Sequence, residues 1–263
     1  MVSGAQIHKV YEGKELQCAT WLIEGSSGVA LVDPGSGNGE ETILAHVERL
    51  GFEPAQITHL LITHAHVDHC LGAGKLRKRI KQGNSTAPLS QTRDSTGESI
   101  KRQKGAVVAS ETTAKLLESA APPIWGEHPD LIPAISVDVR VQDMESIDVC
   151  GLTVICVLTP GHMAGSTTYI VETEAGPVGF TGDLLFQDST PGWAGEGQYS
   201  PQQTLASLEK LSEFELAKIY PGHGRPIDDV EDWIMRGLDL GRAGEWSPTS
   251  EWQAEDVPPN VKQ

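Results

Sequence analysis

The sequence has few cysteines, no long apolar run and a shortage of basic residues. Its four cysteines, among 263 residues, follow no zinc-knuckle spacing, so a cysteine-based metal site is not indicated. No stretch approaches the roughly 20 apolar residues of a membrane-spanning helix. The opening MVSGAQIHKVYEGK lacks the apolar run of a secretory signal. We therefore expect a cytoplasmic protein with free thiols and no membrane association.

Basic residues are outnumbered by acidic ones, 20 against 36, which gives a formal net charge of −16. Such a chain is not expected to bind nucleic acid. The segment from Lys75 to Lys104 is an exception, with nine basic and two acidic residues, a local net of 9 − 2 = +7. We interpret it as a solvated loop docked on the protein's own acidic surface. Contact with an anionic substrate or partner is the alternative interpretation.

The order of apolar runs predicts two halves, each beginning with strands and ending with helices. CATWLIEG, GVALVDPG and THLLITHAH have the pattern of strands in the first half, and GEETILAHVERLG has that of a helix. SETTAKLLESA predicts a helix capped by Ser110. In the second half, five strand-like runs follow Val137, and SPQQTLASLEKLSEF predicts a helix with Ser200 as its N-cap.

This repeated order predicts an α/β protein of the αββα type. Two mixed β-sheets would pack face to face between outer helices, which bury the apolar side of each layer. The predicted organisation is a single domain over residues 1–246, with a polar, basic insertion at about 77–104 and a tail at 247–263. The insertion is expected to be a loop, because it offers few apolar residues to bury.

Metal-binding residue types follow several of the predicted strands. The motif THAHVDH supplies four of them, and TPGH, TGD and PGHG supply one each. These residues are His64, His66, Asp68, His69, His162, Asp183 and His223. A buried loop could not satisfy so many ring nitrogens without partners. Imidazole suits metals such as zinc, and a carboxylate can bridge two cations, so five histidines and two aspartates suffice for two ions.

The four motifs, in this order, resemble those of the metallo-β-lactamase superfamily over roughly residues 20–225. The resemblance implies one metal held by His64, His66 and His162, and a second held by Asp68, His69 and His223, with Asp183 as the bridge. It also matches Asp33 to the aspartate of the early strand, which usually supports the site rather than ligating a metal.

The resemblance implies a metal-dependent hydrolase with two zinc ions, or with iron or manganese in their place. Two ions about 3.5–4 Å apart can share a hydroxide and polarise the bond it attacks. Asp68 has a further expected role in orienting the water or moving its proton. We predict a small-molecule substrate, which would be a carboxylic ester, a thioester or a lactone. The side chains of Phe186, Trp193 and Tyr199 would line its pocket. Plain packing is the alternative for the last two.

Several subfamilies remain open at this point. FTGDLLF is similar to a segment of the glyoxalase II thioesterases, whereas Phe186 stands where acyl-homoserine lactonases usually place a tyrosine. A mononuclear iron persulfide dioxygenase is one alternative. A promiscuous β-lactamase, or a phosphodiesterase or nuclease of the same superfamily, is another. Only 39 residues separate Asp183 from His223, so the inserted domain expected of such a nuclease is missing.

Overall fold

The computed structural model describes residues 4–12, 18–82, 104–119, 133–192 and 199–246. The first β-sheet comes from the first half of the chain and from one strand beyond it. Its strands are β1 (Gln6–Glu12), β2 (Ala19–Gly25), β3 (Gly28–Val32), β4 (Ile57–Leu61), β5 (Ala106–Ser110) and β6 (Val139–Val141), and they lie in that spatial order. The first three strands are antiparallel neighbours. From β3 to β6 every neighbour is parallel.

The second β-sheet comes from the strand-like runs that follow Val137. It contains β7 (Glu145–Val149), β8 (Leu152–Leu158), β9 (Thr167–Thr173), β10 (Gly176–Gly182) and β11 (Lys218–Pro221), in the order β11-β10-β9-β8-β7. The pairs from β7 to β10 are antiparallel hairpin neighbours. The edge strand β11 pairs in parallel with β10. Both sheets are therefore mixed, as predicted.

The described helices are α1 (Glu40–Arg49), α2 (Val67–Cys70), α3 (Gly72–Gln82), α4 (Glu111–Glu118), α5 (Pro201–Leu211) and α6 (Val230–Ala243). Two predicted caps are confirmed. The Ser110 hydroxyl accepts a hydrogen bond from the Thr113 amide, and the Ser200 hydroxyl accepts one from the Gln203 amide. Each satisfies an amide that the first helical turn leaves unpaired. Within the described ranges, no helix combines the length and apolar content needed to cross a bilayer.

Three apolar clusters separate the four layers. The central one joins side chains of both sheets, such as Trp21, Leu61, Tyr169 and Phe180. A second packs the first sheet against α1 and α3, and a third packs the second sheet against α5 and α6. All four cysteines are free and buried within this framework. The αββα prediction is confirmed, because one face of each sheet packs against the other sheet and the opposite face packs against helices.

The prediction of a basic loop over residues 77–104 is wrong at the start of that segment. Residues 77–82 continue α3, in which Leu76 and Ile80 lie one turn apart and are fully buried. Arg77 lies 2.6 Å from a carboxylate oxygen of Asp138, and Arg79 lies 2.6 Å from one of Glu41. This part of the basic segment therefore docks on the protein's own acidic surface, as the first interpretation held. Residues 83–103 of the expected insertion, and the tail 247–263, lie outside the described residues.

Candidate metal centre

Strand direction brings the ligand-type residues to one rim of the sandwich. Strands β3 and β4 are parallel, and Asp33 and the segment 64–69 follow them. Strands β8, β10 and β11 also share one direction, because β9 is antiparallel to both β8 and β10, and β11 is parallel to β10. His162, Asp183 and His223 follow their ends. The structure thus brings together all seven residues that the motifs supplied.

Three buried histidines form the first donor cluster. The Nδ1 atom of His66 lies 3.1 Å from Nε2 of His64 and 2.9 Å from Nε2 of His162. Asp183 belongs to the same cluster, with Oδ2 3.8 Å from Nε2 of His162. The side chains are almost entirely shielded from solvent.

Asp68, His69 and His223 form the second donor cluster. The Oδ2 atom of Asp68 lies 3.1 Å from Nε2 of His223 and 3.4 Å from Nε2 of His69. Asp183 also borders this cluster, with Oδ1 3.3 Å from Nε2 of His69 and Oδ2 3.5 Å from Nε2 of His223. One carboxylate therefore faces both clusters. The side chains of Asp68 and His223 are 17% and 18% exposed, so this side of the centre is partly open to solvent.

The hydrogen bonds around the rings leave lone pairs aimed at the centre. His162 donates from Nδ1 to the carbonyl of Gly192, at 3.0 Å. His69 donates from Nδ1 to Oδ2 of Asp33, at 2.8 Å. The Nε2 atom of each ring, when the ring is neutral, is then an acceptor. That of His69 faces the carboxylate oxygens of Asp68 and Asp183. Such an arrangement is unfavourable unless a cation lies between them.

The spacing of these donors fits a metal ion. Four ligands about 2.0–2.1 Å from a tetrahedral ion lie about 3.3–3.4 Å from one another, and the separations in the second cluster are 3.1 to 3.5 Å. In addition, the buried Oδ1 of Asp183 has no hydrogen-bond partner among the described residues. A set of imidazoles and carboxylates suits zinc and the other borderline divalent metals. The residues present therefore fit two ions that share Asp183.

Burial keeps the first cluster neutral. It lowers the pKa of His66 to about 3, holds that of His64 well below its ordinary value and lowers that of His162. Neutral imidazole is the form that binds a metal. These three rings can therefore accept an ion near neutral pH without first losing a proton.

The second cluster has the opposite balance of charge. Burial opposes a charge on each group there, but the opposite charges around them outweigh it. Asp183 and Asp68 raise the pKa of His223 to about 9, and Asp183 contributes most to raising the pKa of His69. In return, His69 and His223 hold the pKa of Asp183 well below its usual range. A metal ion entering this cluster must displace protons from the rings.

Two different physical reasons account for the glycines beside the ligands. Gly161 and Gly224 have φ angles of 150° and 86°, which glycine adopts far more readily than other residues. Gly222 is needed for space instead. A Cβ atom there would lie 2.3 Å from Oδ1 of Asp183 and 2.5 Å from Cε1 of His69. Gly161 and Gly224 thus allow tight turns of the backbone, whereas Gly222 permits a close approach to the ligands.

The expected substrate wall is only partly within the described residues. Phe186 packs edge-on to His223, with ring centroids 6.1 Å apart and an interplanar angle of 82°. It therefore lies beside the open side of the centre. Tyr199 packs against the apolar cluster between the first sheet and its helices, which agrees with plain packing. Trp193 lies outside the described residues.

A family comparison matches this chain, over residues 13–223, to the metallo-β-lactamase superfamily. The chain belongs to that superfamily. The match begins just after β1 and includes every motif up to His223. As a superfamily member with two clusters of histidine and aspartate, the protein is a metallohydrolase.

Known proteins resemble this chain at modest identity. A hydroxyacylglutathione hydrolase of Cupriavidus taiwanensis is 28% identical over 225 residues, which are 85% of this chain and 68% of that protein. A β-lactamase-like protein 2 homolog of Caenorhabditis elegans is 25% identical over 82% of this chain, which covers 58% of that protein's length. The crystal structure of a subclass B3 metallo-β-lactamase of Bradyrhizobium japonicum superposes with a TM-score of 0.64 at 19% identity. The match covers 93% of this chain and 94% of that one. This last likeness concerns the fold alone.

Sequence reasoning missed two residues that orient the ligands. The carbonyl of Gly192 holds the ring of His162 from 30 positions away, and no sequence pattern indicates that contact. Thr63 directly precedes His64 and bonds to Asp33 through its amide and its hydroxyl. Its place in the motif was a signal that could have drawn attention to it.

Proposed function

We propose that this metallohydrolase cleaves a carboxylic ester, a thioester or a lactone of small or medium size, and that it uses two zinc ions. The observation that carries the proposal is the pair of donor clusters that share Asp183. Each cluster offers three further donors, and Asp183 lies 3.3 to 3.8 Å from donors of both. His64, His66 and His162 would hold one ion, and Asp68, His69 and His223 the other.

Two such ions supply a nucleophilic hydroxide near neutral pH and a Lewis acid for the carbonyl oxygen. The protein's own residues then decide how water and substrate enter. The first cluster is closed to solvent, whereas Asp68 and His223 are partly exposed. We infer that substrate approaches from the side of Asp68 and His223.

Asp68 is suited to receive a proton during the reaction. Burial opposes its ionisation, but His69 and His223 lower its pKa, so the carboxylate is charged near neutral pH. Its Oδ2 faces the centre on the open side. A carboxylate at this place can orient an attacking water and hold the proton that the water loses.

Phe186 favours an acyl substrate over a phosphate. Its ring stands against His223 and offers an apolar surface beside the open side. The relative from Cupriavidus taiwanensis is by its name a hydrolase of hydroxyacylglutathione, an acyl compound, which supports the same substrate class. A phenylalanine cannot donate a proton to a leaving group, so the tyrosine-dependent form of lactonase is less favoured than a thioesterase.

A mononuclear iron dioxygenase is the second candidate from the sequence, and it needs one ion. The second cluster argues against it, because Asp68, His69 and His223 already lie within ligand distance of one another.

A phosphodiesterase would need a basic surface at the site entrance. Arg77 and Arg79 are instead engaged with acidic residues of the protein.

The experiment combines metal analysis with a comparison of substrate classes. The protein reconstituted with excess zinc is expected to hold two ions and to show its highest kcat/KM on a thioester, ester or lactone. His66→Ala should lose metal and turnover. His46→Ala should keep both, because His46 is a half-buried histidine of α1 outside both clusters, and its Nδ1 bonds to the carbonyl of Thr42 in the same helix.

Two results would overturn the proposal. One is a stoichiometry of one ion or fewer at saturating zinc. The other is a phosphodiester or a β-lactam preferred over every carboxyl substrate by more than about tenfold, which corresponds to about 1.4 kcal/mol of transition-state stabilisation.

A further inference from the structure

Thr63 stands between the carboxylate of Asp33 and the ring of His64. Its hydroxyl lies 2.7 Å from Oδ2 of Asp33 and 3.0 Å from Nδ1 of His64, and its amide donates to Oδ1 of Asp33 at 2.8 Å. All three side chains are buried. The hydroxyl oxygen is thus held between two groups that it can bond at the same time.

The direction of these hydrogen bonds follows from the chemistry of the groups. The carboxylate of Asp33 only accepts, so the single proton of the Thr63 hydroxyl points to it. The hydroxyl oxygen then accepts from Nδ1–H of His64. The proton of the His64 ring is thereby held on Nδ1, and Nε2 is left bare, facing Nδ1 of His66 at 3.1 Å.

Asp33 acts on the second cluster as well. Its Oδ2 also accepts from Nδ1 of His69, at 2.8 Å, so in the neutral ring that binds a metal the proton stays on Nδ1 and Nε2 is bare on the side of Asp183 and His223. Asp33 has a φ angle of 50°, an uncommon conformation that aspartate tolerates better than most residues. The strand end is therefore shaped to aim one carboxylate at both Thr63 and His69.

We infer that Asp33 and Thr63 form one relay that fixes the protonation tautomer of one ligand in each metal position: His69 directly, and His64 through the Thr63 hydroxyl. Thr63 is in this sense a positioning residue, since it acts on the metal through His64. The inference rests on the two-metal site of the proposed function. It assigns to Thr63 a share in the zinc affinity of the three-histidine position, which is the cluster of His64, His66 and His162.

The surrounding backbone supports this role for the Thr63 side chain. A Cβ atom at Gly182 would lie 2.6 Å from the Thr63 hydroxyl oxygen and 3.2 Å from Nδ1 of His64. Glycine at that position thus leaves room for the contact. The carbonyl of Thr63 also accepts from the amide of Thr167, at 2.9 Å, which ties the relay to the second sheet.

The test compares Thr63→Val, Thr63→Ser and Thr58→Val with the unchanged protein, by competition of each with a zinc chelator. Thr63→Val is expected to weaken the affinity of the three-histidine position about 10- to 100-fold, the usual effect of removing such a supporting contact. Thr63→Ser should restore it to within about threefold. Thr58 is a matched control, because its buried hydroxyl lies 2.9 Å from Nδ1 of His59, which is outside both clusters.

A second measurement needs no variant, so it holds even if Thr63→Val does not fold. Nitrogen-15 spectra of the histidine rings in the zinc-loaded protein should show the proton on Nδ1 for His64 and His69. His66, whose Nδ1 faces the other donors, should carry its proton on Nε2. A proton on Nε2 of His64 would overturn the relay.

The relay also fails if Thr63→Val binds zinc as tightly as the unchanged protein, or if Thr63→Ser is as weak as Thr63→Val. Failure of the unchanged protein to bind a second ion would instead count against the proposed function. The tautomer of His64 and the ratio between Thr63→Val and Thr63→Ser would still report on the relay.

Discussion

Gly222 offers a severe test of the geometry, because the change to alanine adds one methyl group at the point where two strands meet the metal centre. The added Cβ would lie 2.3 Å from Oδ1 of Asp183, and contacts below 3.0 Å are essentially never found. The carboxylate or the backbone would have to move by at least 3.0 − 2.3 = 0.7 Å. Metal–ligand distances tolerate only about 0.2 Å.

The backbone at Gly222 is poorly able to yield. Its amide donates to the carbonyl of Gly182 at 2.9 Å, and its carbonyl accepts from the amide of Ala19 at 2.6 Å. The indole of Trp21 holds the preceding carbonyl of Pro221 at 3.0 Å. We therefore expect Asp183 to move rather than the chain, which would disturb both ions at once.

We expect Gly222→Ala to lower kcat/KM at least about 100-fold, since a displacement approaching 1 Å in a catalytic group has about that effect. This loss corresponds to about 2.7 kcal/mol. Zinc affinity should fall at both positions. The assay is chelator competition together with steady-state kinetics on the best carboxyl substrate, and a thermal unfolding curve shows whether the variant is folded.

Gly74→Ala is the matched control. A Cβ at Gly74 in α3 would meet its nearest neighbour, Ile135, at 3.8 Å, an ordinary contact. It should leave activity unchanged and can stabilise the helix by about 0.5–1 kcal/mol. If a folded Gly222→Ala protein kept two ions and normal turnover, the placement of Asp183 beside Gly222 would be refuted.

Three further predictions follow from the same geometry. Asp183→Ala should lower zinc content at both positions, whereas His223→Ala should mainly weaken one; equal losses in metal analysis would argue against a shared carboxylate. The pKa of His223 without metal is about 9, and that of His69 is raised well above its ordinary value. An incoming ion must therefore displace a proton from each ring at pH 7, so affinity at that position should rise by more than about tenfold per pH unit above pH 7. A flat profile in chelator titrations would contradict this. Ser110 caps α4 and also donates to the carbonyl of Gly165 at 2.6 Å. Ser110→Ala should therefore lower the free energy of unfolding, measured in urea, by about 2 kcal/mol. Ser200→Ala removes a cap alone and should lower it by less.

The sequence was sufficient for the fold and for the seven residues that the structure brings into two clusters, because both depend on local chemistry. Alternating apolar runs and the caps at Ser110 and Ser200 report where strands and helices begin. Histidines placed directly after strands reach a sheet rim whatever the details of packing. The helical continuation through residues 77–82 was missed because charge dominated the local composition, although Leu76 and Ile80 already had the spacing of a buried helix face.

Only the tertiary structure decided how those residues meet. Asp183 faces both clusters because β10 lies beside β11 and the rims of the two sheets converge. His69 finds Asp33 across 36 positions, and Gly222 approaches Asp183 closely enough to exclude a side chain. Such contacts depend on strand register and on the packing of distant segments. A shift of one residue would turn the same side chains away from the centre, so the sequence determined which groups are available and the packing determined their geometry.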